Sequence, residues 1–257
     1  MILKFITNTK NIILFLLFII TASKLSAGCV GDIRIFPNNK EISINSIFFI
    51  EGELDNQIID SINIKYNVYL RLDSQKIKLQ VIDFIKGQFN FSQVILKPEI
   101  PLKTGRKYYL EIDSLTEYQK EYYLSRYNIK TYLREPICWT VTNYEDNLNP
   151  QWLILPSILD LFVDERSVFV NFNSKIKDQS EILIKVELIE LESNKNILFY
   201  LYNNTNENIK VGHYWCASIF HYSLNKKYKI HFLLSDFSGN KNENYTDWVI
   251  FDSPKKN

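Results

Sequence analysis

The stretch Ile182-Leu183-Ile184-Lys185-Val186-Glu187-Leu188 decides the fold class. Its Ile182, Ile184, Val186 and Leu188 recur at every second residue, the spacing that sets apolar side chains on one face of an extended strand. The same period runs outward in both directions. Val168, Val170 and Phe172 precede it, and Tyr228, Ile230, Phe232 and Leu234 follow. The first half repeats the pattern in Val68, Leu70, Leu72, in Ile77, Leu79, Val81 and in Tyr108, Leu110, Ile112. Turn-forming groups such as Asp73-Ser74, Lys86-Gly87, Asn203-Asn204 and Ser238-Gly239-Asn240 separate the runs. Composition agrees: of 257 residues, 35 are Ile and 26 Asn but three are Ala, which favours strands and turns over helices. Thr116 to Arg134, Tyr-rich and charged, fits either a helix or an irregular strand. The pattern predicts an all-β chain of two tandem β-sandwiches.

Residues 1–27 read as a cleaved signal peptide, since Lys4 and Lys10 precede the apolar run Ile12–Ile20 and a small-residue stretch ends at Ala27. That run is much shorter than the roughly 20 residues that span a bilayer. The remainder carries 27 basic and 29 acidic side chains, a near-neutral balance that excludes a basic nucleic-acid binder. Its length suits two domains, 28–135 and 136–257, meeting at Glu135-Pro136. In an oxidising compartment Cys138 and Cys216, each beside a Trp, read as a structural disulfide of the second domain. If Cys29 is not modified, three pairings with one leftover thiol are open.

Ser26-Ala27-Gly28-Cys29 resembles a bacterial lipobox, with Ser26 where that pattern has Leu. The resemblance implies a lipid on Cys29 and membrane attachment through it, while ordinary cleavage after Ala27 implies a soluble exported chain. Either implies the periplasm, the cell surface or the medium. Val94 to Leu110 resembles the late hairpin of bacterial Ig-like modules, with Pro98, Leu102, Gly105, Tyr108 and Leu110 at the motif positions. Phe220 to Phe232 is similar, without the Gly, and runs into Asp236-Phe237-Ser238-Gly239-Asn240, similar to the turn before the last strand of such modules. Pro37 to Gly52 looks like an Ig-like first strand. The resemblance implies two tandem Ig-like or fibronectin-like sandwiches and no particular function.

The chain has no P-loop, dinucleotide fingerprint, nucleophile elbow or zinc-protease motif. No catalytic, cofactor-binding or metal-binding residue is assigned. His213, His221 and His231 read as partly exposed strand residues, because Cys216 has the opposite strand parity to His213. Asp236 and Asn240, with Asp247 nearby, suit calcium chemically, but a tight turn uses the same residue types. All four Trp lie in the second half, and Trp152 and Trp248, neither beside a Cys, are the candidates for stacking on a glycan. The expected role is that of an exported, non-catalytic spacer or protein-binding module of the bacterial envelope. The alternative is a carbohydrate-binding or accessory module of a glycan-processing system. The partner is an unknown envelope protein or glycan.

Overall fold

The computed structural model describes residues 31–53, 56–214 and 218–254. The expected signal peptide, Cys29, Trp215 and Cys216 lie outside the described residues. In chain order the first half contributes β1 (Asp32–Phe36), β2 (Glu41–Ile42), β3 (Phe48–Glu53), α1 (Asn56–Asp60), β4 (Val68–Leu72), β5 (Gln75–Lys86), β6 (Phe91–Pro98), β7 (Lys107–Ile112), α2 (Glu117–Tyr123), β8 (Ser125–Asn128), β9 (Leu133–Pro136) and β10 (Cys138–Val141). The second contributes β11 (Gln151–Val163), β12 (Ser167–Lys177), β13 (Ile182–Glu190), β14 (Lys195–Asn203), β15 (Glu207–Tyr214), β16 (Lys227–Asp236) and β17 (Val249–Asp252). The fold is all-β. No helix among the described residues is long and apolar enough to cross a membrane.

The first sheet has the order β1-β3-β6-β5-β4-β7-β10-β2. Its long strand β5 serves both ends: Gln75–Lys78 pairs with β4 and Leu79–Lys86 with β6, with a register break between Val81 and Asp83. Side chains from both ends then meet in one core, in which Phe48, Ile50 and Leu96 join Val68, Leu70 and Trp139. The second half forms a three-stranded sheet, β11-β12-β15, and a four-stranded one, β14-β13-β16-β17. Between them the period-two residues Ile182, Ile184, Val186 and Leu188 pack with Phe172, Val211 and Phe232.

Three sequence expectations change. The strand after Glu135-Pro136 belongs to the first sheet, because β10 pairs antiparallel with β7 and parallel with β2. Trp139 explains this, since it is fully buried in the first core, edge-on to Phe48 at 4.8 Å, with its Nε1 donating to the Pro37 carbonyl at 3.0 Å. Cys138 therefore sits opposite Tyr109 in the first sheet, and Cys216, its expected partner, lies outside the described residues. The third change concerns Val94 to Leu110, which is no hairpin: β6 and β7 are separated in the sheet by β5 and β4, and the motif carries the chain across them. The ambiguous stretch Thr116 to Arg134 resolves into α2 and the β8–β9 hairpin. Thr116 and Gln119 form a reciprocal capping box that starts α2.

Trp139→Ala is expected to cost about 3–5 kcal/mol of stability, the range for emptying a large aromatic site. Trp248→Ala, at a surface position, is expected to cost under about 1 kcal/mol. Urea denaturation of the two variants measures the contrast, and equal losses would refute the placement of Trp139.

Candidate functional site

The alternation that puts Ile182, Ile184 and Val186 into the second core sends Leu183, Lys185 and Glu187 to the outer face of β13. Leu183 is nevertheless buried, because the first half covers it. Phe36, Ile47, Phe49 and Ile95 pack with Leu183, Tyr200 and Phe237 in a third apolar cluster. The buried Gln93 carboxamide accepts from Tyr200 N–H and donates to the Tyr200 carbonyl, both at 2.8 Å. It thereby acts on edge strand β14 as a neighbouring strand would. Asp83 accepts from the Tyr200 hydroxyl at 2.6 Å and pairs with Lys185 at 3.0 Å. Burial alone would raise the Asp83 carboxyl, but these partners outweigh it and hold the group below the usual carboxylate range. Ile47 N–H donates to the Phe237 carbonyl at 2.8 Å, so backbone also crosses the seam.

At one end of this seam three carboxylates converge. Asp146 follows β10, Asp178 follows β12 and Asp236 ends β16, and one oxygen of each lies within 4.8 Å of the others. Asp146 accepts from Ser180 Oγ at 2.5 Å and from Leu148 N–H at 3.2 Å. Asp236 accepts from Ser238 N–H, Asn240 N–H and Asn240 Nδ2, each at 2.8 Å. Asp178 accepts from Ser180 N–H at 2.6 Å. A cleft of about 590 Å³ adjoins the cluster, walled in part by Ser43, Ser46, Ser180 and Ser238. Their hydroxyls form a chain in steps of 2.8–3.0 Å, which reaches Asp146 through Ser180.

Burial pushes the Asp236 carboxyl up to about 7; the Asn240 hydrogen bonds offset part of that, and the Asp178 and Asp146 charges add to it. Asp178 is also raised, chiefly by burial. The donors are all oxygen, the type that hard cations such as calcium take in sets of about six to eight. Among the described residues these are the ones that could hold a metal. Asp236 and Asn240 make the turn expected of them, whereas Asp247 is exposed and outside the cluster. Asp146 and Asp178 were not singled out in the sequence. The Asp178-Gln179-Ser180 turn is a local signal for one of them, but nothing local announces that the three meet.

The histidines separate. His213 and His221 stack at 4.1 Å, and Phe89 stacks on the far ring at 4.0 Å. His213 Nδ1 and His221 Nε2 are buried and have no hydrogen-bond partner among the described residues. Burial, with the adjacent His221, lowers His213 to about 4, and burial lowers His221. His231 stands elsewhere, between Trp248 at 3.6 Å and Tyr245 at 4.1 Å, with its Nε2 2.7 Å from Glu187. Trp152 packs against the second core from the three-stranded sheet, so the structure does not join it with Trp248 in one platform.

No family model and no curated relative matches the chain. Among solved structures, a cytokine receptor complex aligns with 88% of this chain and 98% of its own at 8% identity and a TM-score of 0.28. The native conformation of Escherichia coli alpha-2-macroglobulin aligns with 87% of this chain at 9% identity and a TM-score of 0.25, this chain spanning 14% of it. A glycosyl hydrolase family 2 member from Bacteroides cellulosilyticus aligns with 80% at 7% identity and a TM-score of 0.24, this chain spanning 26% of it. Likenesses at these scores carry no functional inference.

Folded Asp236 titrates near 7 against 3.8 for the free group, so between those values the folded state holds the extra proton and stability falls as pH rises. Asp236→Asn is expected to remove that decline with pH, while losing the acceptor that Asn240 Nδ2 uses. His213 gives the opposite slope: its depressed value makes stability rise with pH from about 4 to 6.5, a contribution that His213→Phe removes. Urea midpoints measured across pH with a chelator present test both, and unchanged slopes in the variants would refute the assignments.

Proposed function

We propose that the chain is an exported, non-catalytic protein of two tandem Ig-like, fibronectin-like β-sandwiches that serves the bacterial envelope as a rigid spacer or protein-binding module. Export is supported by the order of charge, apolar run and small residues in 1–27, with attachment to a membrane only through a lipid on Cys29. The Ig-like reading is supported by a device that both halves repeat. Tyr108 hydroxyl accepts from Lys103 N–H at 2.9 Å, and Tyr228 hydroxyl from Ser223 N–H at 2.8 Å. Each is a buried Tyr at the start of a strand bonding five residues upstream, as in a tyrosine corner.

The observation that carries the spacer role is the seam. Leu183, Tyr200, Phe237 and the Gln93 carboxamide tie the two cores at a fixed angle, where a flexible linker would leave their relative orientation open. A rigid joint suits a part that holds other components at a set distance.

A second reading, a carbohydrate-binding or accessory module, is favoured by the Trp248, His231 and Tyr245 rings, which stack nearly parallel on the outer face of the four-stranded sheet. Lys229 lies 4.4 Å from the Trp248 ring centre.

Calorimetry of the full chain is expected to give one cooperative transition, and Leu183→Asp, which places a charge in the seam, is expected to split it in two. Two independent transitions in the unaltered protein would overturn the spacer reading. Retention on a glycan panel that Trp248→Ala abolishes and Trp152→Ala leaves intact would establish the second reading in its place.

A further inference from the structure

Strand β11 leaves more apolar surface in water than any other strand described. Between Leu153 and Phe162 seven large apolar residues are 41–60% exposed. Both faces of the strand are open. Ile158 and Leu161 lie opposite the fully buried Phe172 and Val170 of β12, yet are themselves 41% and 51% exposed. Leu153, Leu155 and Leu159 fall at the three register breaks of the β11–β12 ladder and are 55–60% exposed. Among the described residues the far edge of β11 has no neighbour in its sheet, so its backbone groups are available along with its side chains.

We infer that β11 is the pairing edge of a homodimer, in which it runs antiparallel to β11 of a second copy and joins two three-stranded sheets into one of six strands. Area favours this occupant. At about 200 Å² for a fully open residue of this size, the seven residues expose about 700 Å², close to the roughly 800 Å² per partner of a standard interface. Chemistry favours it too. From Trp152 to Val163 the one charged residue is Asp160, and its carboxylate is already engaged by Asn171 Nδ2. Lys210 Nζ lies 5.4 Å from the Phe162 ring centre, but the strand itself offers a charged partner no free opposite charge, whereas a copy of the same strand sets apolar side chains beside apolar side chains along the shared edge. Self-pairing of one edge is also the isologous contact that closes at two copies. Pro156 and the register breaks confine the regular ladder to the segment around Asp160–Val163.

Sedimentation velocity of the full chain from about 1 to 100 µM is expected to show a monomer–dimer equilibrium with a micromolar or tighter constant. The double variant Leu159→Lys, Leu161→Lys is expected to be monomeric throughout, and Tyr132→Lys, on the remote β8–β9 hairpin, to dimerise as before. Amide exchange of the unaltered chain gives a reading that needs no variant: protection within 157–163 is expected to rise with protein concentration. A chain monomeric at 100 µM, a dimer that survives both lysines, or protection in β11 that ignores concentration would each overturn the inference.

Discussion

The outer face of β13 cannot be left to water, and the rest of the arrangement follows from how it is covered. A period-two strand with one buried face normally presents polar residues on the other. β13 does so at Lys185 and Glu187, but not at Leu183. Its neighbour β14 adds Tyr200 and an open edge. The first half answers each need with a different residue: Phe49 and Ile95 for the apolar side chains, the Gln93 carboxamide for the backbone of Tyr200, and Asp83 for Lys185 and the Tyr200 hydroxyl. With all of these satisfied together, the two cores have one mutual orientation.

That orientation brings Asp146, Asp178 and Asp236 together from three separate segments. It also separates two kinds of buried acid. Asp83 keeps its charge because a lysine and a phenol face it, whereas Asp236 shares its site with two more carboxylates and is driven toward its neutral form. His213 follows the same rule with the opposite sign, since its ring is stacked on another imidazole and burial, with that neighbour, disfavours the cation. Asp83 keeps its charge beside an opposite partner, whereas Asp236 is driven to its neutral acid by holding a proton and His213 to its neutral ring by losing one.

Much of the β framework is legible residue by residue. The alternation in β4, β7, β12, β13 and β16 marks which side chains enter a core, because in a strand that depends on parity alone. The Tyr108 and Tyr228 segments look alike in sequence and make the same backbone bond. Thr116 and Gln119 make a capping box that the sequence reading did not identify, because their Tyr-rich, charged surroundings obscure the period that follows. Trp139 misled in the opposite direction: Pro136 looked like a boundary, but a Trp needs a large cavity and an acceptor for its N–H, and Phe48 and Pro37 supply both from a hundred residues upstream.

The amino-acid order by itself determined the strand class, the buried faces of most strands, the turns at Asp236 and Asn240, and the near-neutral charge, all of which rest on spacing within a few residues. Only the tertiary structure decided that β10 joins the first sheet and takes Cys138 with it, that Leu183 faces another core and not solvent, and that three distant aspartates meet at one end of the seam. These depend on which strand edges and faces find each other, and no local period encodes that choice. It is settled by satisfying the hydrogen bonds and apolar area that each half leaves open.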